Sequence, residues 1–351
     1  MQFVKAERKL GIVSRLITLQ RNPYDFEEDV CLELPFIKEG FLLKFFRKFK
    51  NRRAKAENFG SIDLPPIWSP GNFLEKAFFD LRDLLWEFII KSKKIDFDLF
   101  DFDIYQLDGG LGLLRSGKFV KEFKRIGKKI VCVYMGNDLR KRGIIQAIDK
   151  ISDVNFTAEF DHLKLYRGIN FIFAPFNLDG YSVVHNENEK IRICHSPTNL
   201  ELKGSRKIID IVKSLESEYP VELVLLRGMK HSEVIKIKST CDIVIGQLGE
   251  LGYGYSSIES MAMGIATCTQ LTPELERFIP DHPFINVNEK NLRERLIQLI
   301  NNKNLRIKKG LEARKWVEKY HNGVKVVKLS LIHISEPTRP LYISYAVFCL
   351  K

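Results

Sequence analysis

The feature that most constrains this chain is an alternation in its second half, where short β-branched and aliphatic runs are separated by longer stretches of helical period. IRIC (191–194), VELVLL (221–226), DIVIG (242–246), IATC (265–268) and FINV (284–287) have the length and composition of buried strands. Between the first two, KGSRKIIDIVKSLESEY sets Ile208, Ile211, Val212 and Leu215 on one helical face, with Ser205 as the predicted N-cap. KHSEVIKIKST and YSSIESMAM fill later intervals. Strands alternating with helices in this way need a crossover at every step, which makes the sheet parallel and the domain a doubly wound α/β unit.

The first half repeats the grammar with longer insertions. SRLITLQ, FDIYQL, KIVCVYM and INFIFAPF read as strands, and NFLEKAFFDLRDLLWEFIIK as a long helix opened by a capping box of Asn72 and Glu75. With 351 residues there is chain enough for two cores. The expected architecture is α/β, two doubly wound, Rossmann-like domains facing a cleft: residues 1–180 and 181–329, with a polar hinge in NLDGYSVVHNENEK (177–190).

Both ends break the pattern. A doubly wound domain opens on a strand and a tight glycine turn, yet this chain begins inside a helix that carries Phe3, Ala6 and Leu10 on one face and closes at Gly11. The first strand is therefore expected to be missing from a truncated fragment. Helical periodicity stops at about Leu329, and SLIHISEPTRPLYISYAVFCLK resembles translated sequencing-adapter read-through. Residues 330–351 are accordingly expected to be a non-native tail, the alternative being a native β-rich one.

Charge and cysteine usage narrow the setting. The 56 Lys and Arg outnumber the 44 Asp and Glu for a net charge of +12, which suits phosphates, anionic lipid or nucleic acid. No nucleic-acid module accompanies that charge, so nucleic acid is not expected as a partner. The 6 cysteines are scattered without a C-x-x-C pair, as core thiols in a reducing cytosol would be. MQFVKAERKLGIVS is not a signal peptide and no apolar run reaches the ~20 residues of a membrane span. The expected location is the cytoplasm, or the inner membrane face if FLLKFFRKFKNRRAKAE (41–57) lies on anionic lipid. That stretch also reads as an ordinary helix with Leu42, Phe45, Phe46 and Phe49 turned inward. Asp96, Asp98, Asp101 and Asp103 have D-x-D spacing, but alternation with Phe and Leu marks a half-exposed edge, and no metal is expected. DGGLGLLRSGK (108–118) matches neither a P-loop nor a dinucleotide fingerprint.

Two facing α/β domains bind ligands at the carboxyl ends of their strands. After IRIC comes HSPTNLELKGS, with His195, Thr198, Asn199 and Lys203 ahead of a helix N-terminus suited to a diphosphate. After DIVIG comes QLGELGYGYSSIESMAMG. Here Gly252 and Gly254 allow close backbone approach, Ser256 and Ser257 can cap, and Glu259 stands as an unpaired acid in the first turn of the next helix. A carboxylate there serves the helix dipole, or takes hydroxyl donors such as those of a ribose.

HSPTNLELKGSRKIIDIV followed by CDIVIGQLGELGYGYSSIESMAMGIATCTQL resembles the donor-binding half of GT-B glycosyltransferases of the retaining family-4, or group 1, type, over about residues 190–325. GKKIVCVYMGNDLRKRG (127–143) resembles that family's first-domain loop. The resemblance implies sugar transfer from a nucleotide-sugar to a glycan or lipid-linked acceptor, in cell-surface polysaccharide synthesis, without a cofactor or obligatory metal. It implies that Glu259 holds the ribose hydroxyls, that backbone around Gly254, Tyr255 and Ser256 holds the diphosphate, and that Lys203 neutralises the leaving nucleotide. Asn137, Asp138 and Arg140 fall on the acceptor side, and Asp138 and Glu250 are the catalytic candidates.

Three departures from that pattern stand out. Glu250 and Glu259 differ by nine positions (259 − 250) where the family often has eight. Thr198 replaces an arginine, leaving His195 or Arg227 to complete the clamp. Met135 and Gln106 stand where histidines are common. A sugar-nucleotide epimerase of the same architecture and a catalytically impaired nucleotide-sugar-binding protein remain as alternatives.

Overall fold

The structure is a computed structural model, and it describes residues 1–21, 27–36, 65–93, 98–249 and 252–335. The basic stretch 41–57, Glu250 and most of the tail lie outside the described residues.

The chain opens with α1 (Gln2–Lys9), closed by Gly11 at φ 79°. Two short parallel strands follow, β1 (Ile17–Thr18) and β2 (Val30–Cys31), which among the described residues pair only with each other. Helix α2 (Phe73–Ser92) is the long helix expected from sequence, and its cap is explicit. Asn72 accepts from the Glu75 backbone N–H at 2.8 Å, while the Glu75 carboxylate accepts from Gly71 N at 2.7 Å.

The first main sheet comprises β3 (Ile104–Asp108), β4 (Lys129–Tyr134), β5 (Val154–Thr157) and β6 (Asn170–Phe171), all parallel and in sequence order. Helix α3 (Lys118–Arg125) crosses from β3 to β4 and buries Phe119, Val120 and Phe123 against that sheet; Phe123 stacks on Tyr105 at 3.7 Å. A π-helical turn (Asp138–Arg142) and two one-turn helices, α4 (Gln146–Asp149) and α5 (His162–Leu165), complete the crossovers. INFIFAPF is strand for only two residues. Beyond Phe171 it gives up the ladder and plugs Ile172, Phe173, Ala174 and Phe176 into the core.

The second sheet holds all five strands read from the sequence: β7 (Ile191–His195), β8 (Val221–Leu225), β9 (Ile243–Ile245), β10 (Ala266–Thr269) and β11 (Ile285–Asn286). They are parallel in the order β11-β10-β9-β7-β8, so the winding reverses between β7 and β9. Helices α6 (Ser205–Glu216), α7 (His231–Lys238), α8 (Tyr255–Ala262), α9 (Pro273–Phe278) and α10 (Leu292–Asn301) connect them. Ile208, Val212 and Leu215 of α6 pack on Ile193 and Ile243, each burial worth ~1.5–3 kcal/mol. Ser205 is not the N-cap. Gly204, at φ 60°, takes that place and Ser205 becomes the first helical residue.

The last helices tie the halves together. Helix α11 (Lys303–Trp316) runs through a π-helical turn (Val317–His321) into α12 (Gly323–Ser335), which packs against α1. The chain thus crosses between the halves twice at one place: Phe176 N donates to His321 O at 2.7 Å, and Gly323 N to Phe176 O at 3.0 Å. One apolar cluster joins Val131, Val133 and Phe156 of the first sheet to Ile258 and Met261 of α8 and to Trp316, Val326 and Ile334. Helix α12 continues past the expected stop at Leu329 because Ser330 and Ile334 still face inward. Among the described residues no helix is long and apolar enough to cross a membrane.

Candidate functional site

Where strand order reverses, the loops leaving two neighbouring strands diverge and open a crevice at their carboxyl ends. In the second sheet this point lies between β7 and β9, so the segments 195–204, 246–249 and 252–254 form its walls.

His195 ends β7 and is fully buried. Its Nδ1 lies 2.8 Å from Ile245 O, and its Nε2 lies 2.8 Å from Ser205 Oγ. A carbonyl only accepts, so Nδ1 carries the proton and Nε2 accepts from the serine hydroxyl. Burial lowers its pKa, which keeps the ring neutral. Both nitrogens are spent within the protein, so in this structure His195 braces β7, β9 and the start of α6 beneath the crevice.

Lys203 does reach the crevice. Its ammonium bonds Gln247 Oε1, and Gln247 Nε2 donates to Gly252 O, so one amide fixes both the lysine and the glycine loop. A Cβ on Gly254 would lie 3.6 Å from Lys203 Nζ, which places the lysine over the N-terminus of α8. Gly254 is the N-cap in extended conformation and supplies no side-chain cap, leaving the first N–H groups of the helix for a ligand. Burial lowers the Lys203 pKa, Glu159 opposes that fall and Arg140 adds to it. Both belong to the first domain, so the lysine faces them across the cleft. Gln247 was not singled out in the sequence. Arg227 is exposed two positions beyond β8.

Glu259 corrects two expectations. It lies in the second turn of α8, and it is paired: Oε2 accepts from Lys238 Nζ at 2.6 Å and Oε1 from His231 Nε2 at 2.7 Å. Burial pushes its pKa up, but the His231 hydrogen bond and the charge and hydrogen bond of Lys238 outweigh burial and hold it below the usual carboxylate range. Lys238 is wholly buried and also reaches Ser256 Oγ at 3.1 Å, which is 2.7 Å from Ser196 Oγ. One polar chain therefore links the α8 N-terminus to the carboxylate. In the sequence, Lys238 looks like one more lysine of a solvated face in HSEVIKIKST.

The opposing wall follows β3, β4 and β5. Asn137 is exposed; Asp138 Oδ2 accepts from Met135 N at 2.9 Å and Oδ1 lies 3.4 Å from Arg142 Nη2. Arg140 is spent inside its own domain, on Asp161 Oδ1 at 2.5 Å, on Glu159 Oε2 at 2.6 Å and on Gly136 O. Two carboxylates that sequence reading did not select stand here, at the ends of β3 and β5. Asp108 is open to water within the cleft, and burial by the surrounding protein, together with nearby Asp138, raises its pKa. Asp108 and Glu159 both act electrostatically on Tyr255 of α8, which places them across from the glycine loop. Tyr255 Oη also lies 3.4 Å from Pro175 O of the first half.

Of the D-x-D pairs, Asp98 caps a turn at Phe100 N (2.8 Å) and Asp103 lies 3.4 Å from Lys128; Asp96 is outside the described residues. Among the described residues no three His, Cys, Asp or Glu side chains group as metal ligands. A hollow of about 530 Å³ between α2 and α3 lies away from the crevice, and its charges answer one another, as in Lys118–Glu87 at 2.6 Å.

A scan against protein-family models finds no match for this chain, nor does a search of curated proteins. Solved structures do match. A sucrose-phosphate synthase from Thermosynechococcus elongatus superposes with TM-score 0.58 at 10% identity, covering 95% of this chain and 91% of that one. A glycosyltransferase from Rickettsia africae superposes with TM-score 0.55 at 13% identity, covering 95% and 93%. The chain has the GT-B fold. In GT-B terms, the crevice at the β7/β9 reversal and the wall formed by β3–β5 are the two faces of the interdomain cleft.

Proposed function

We infer that this GT-B chain is a glycosyltransferase that moves a sugar, of hexose type, from a nucleotide-sugar to a hydroxyl of a glycan or lipid-linked acceptor. Retention of anomeric configuration and a place in surface-polysaccharide synthesis belong to the same reading, through the resemblance to the family-4 type. The observation that carries it is a pairing on one helix. The open N-terminus of α8, with Lys203 above it, is an anion site, and Glu259 lies further along the same helix. From Gly254 to Glu259 is about 7.5 Å at 1.5 Å per residue, comparable to the reach from a diphosphate to the ribose hydroxyls of one nucleotide.

The roles separate by charge. A carboxylate repels phosphate and accepts from hydroxyls, so Glu259 takes the ribose and the α8 N–H groups with Lys203 take the diphosphate. As the sugar leaves, negative charge grows on that diphosphate, and fixed donors aimed there lower the barrier without reorganising. Asp108, Asp138 and Glu159 on the other wall accept hydrogen bonds from the transferred sugar or the incoming hydroxyl, orienting the attack. Asp108, exposed at the carboxyl end of β3 opposite Tyr255 of α8, is positioned to take up the hydroxyl proton. The segment 41–57 is a proposed contact with anionic lipid near a lipid-linked acceptor.

A panel of nucleotide-sugars scored by thermal shift tests the reading, since a specific binder raises the melting temperature by mass action. A shift confined to one base and sugar, with turnover on adding acceptor, is the expected result. Silence across the panel defeats it.

A further inference from the structure

Both oxygens of Glu259 are already engaged, and the two partners differ in kind. Lys238, with 0% of its side chain exposed, approaches Oε2 from the protein side and is also held by Ser256. His231 is the first residue of α7, its side chain 36% exposed, and its Nε2–H donates to Oε1 at 2.7 Å. Glu259 itself keeps 10% of its side-chain surface open, with the more exposed imidazole bonded to it. A ribose hydroxyl that is to bond Oε1 needs the acceptor position that the His231 N–H now fills. Lys238 is not free to yield there, because a buried charge stripped of its partner is costly. The imidazole of His231, in the first turn of α7 with 36% of its side chain exposed, is already partly solvated.

We propose that His231 is an exchangeable cover on the ribose site: its N–H stands in for a ribose hydroxyl on Glu259 Oε1, and nucleotide binding displaces it. Lys238 is the fixed counter-ion that keeps the carboxylate aimed. The inference rests on the reading of Glu259 as the ribose contact. It gives His231 a role opposite to that of a ligand contact, since apparent affinity falls with the fraction of molecules whose site is covered. Removing the ring therefore tightens binding.

Titration calorimetry with UDP, ADP and GDP on the full chain tests this. For the nucleotide that binds, His231→Ala is expected to tighten the dissociation constant about fivefold, and His231→Phe, which keeps a ring without the N–H, to tighten it as well. In a Glu259→Gln background His231→Ala is expected to change nothing, a coupling that a merely structural role would not produce. The 2′,3′-dideoxy form of the same nucleotide should bind the wild type weakly and gain nothing from His231→Ala. If Glu259→Gln and the dideoxy nucleotide lose affinity while both His231 variants bind no tighter than wild type, the cover is refuted and the ribose reading stands. If Glu259→Gln and the dideoxy nucleotide bind like the originals, the ribose reading falls and the proposal with it. Binding by none of the three nucleotides overturns both.

Discussion

At the scale of single residues, the site is governed by one buried ion pair. Lys238→Met leaves Glu259 buried without its counter-ion and should cost about 3–5 kcal/mol in chemical denaturation, most of which returns in the Lys238→Met/Glu259→Gln double mutant. Glu259→Ala should weaken nucleotide-sugar binding at least tenfold in calorimetry with the fold retained. The acid behaviour of Glu259 has a definite sign. Its folded pKa lies below the unfolded value of about 4.3, so its contribution is complete above that value and is lost as pH falls below it; Glu259→Gln should flatten that acid limb. Little of this was legible beforehand. Glu259 could be picked out because an acid at an apolar helix demands an explanation, whereas Lys238 resembled its solvated neighbours and His195 looked like a loop residue although it ends a strand.

At the scale of elements, legibility followed burial. The five strands of the second sheet were readable because parallel strands covered on both faces are continuous apolar runs. β2, two residues long, falls below what periodicity can resolve, while SRLITLQ and INFIFAPF, read as longer runs, keep only two ladder residues each as β1 and β6. Helix contacts were invisible to pattern reading. Gly310 of α11 lies so close to the turn after α8 that a Cβ would stand 1.8 Å from Gly264 O. Gly310→Ala should therefore push α11 off its neighbour and lower stability by about 1–3 kcal/mol or more, read as a drop in melting temperature. Gly127→Ala, at φ 82° with nothing within 4 Å, carries only the backbone cost and should lose less, about 1–2 kcal/mol.

At the scale of the whole molecule, the two halves are joined by an apolar cluster and by His321. That ring is fully buried, with Nδ1 donating to Ala174 O at 2.7 Å and Nε2 accepting from Tyr253 Oη at 3.2 Å, so it connects the crossing point to the glycine loop of the site. Burial pulls its pKa down to about 4. The folded chain thus keeps the ring neutral while the unfolded chain protonates it below about 6.5, and stability falls as pH drops from 6.5 towards 4. The contribution is about 3 kcal/mol across that window, and His321→Gln should remove it from the pH dependence of urea unfolding.

The side-by-side crossing at Phe176 and Asn322 has a mechanical meaning. Two connections anchored at one spot behave as the pin of a door: swinging about that line stretches neither, while sliding or twisting apart strains both. A swing about that line is the relative movement these two connections resist least, and the Tyr253–His321 bond sets the glycine loop beside it.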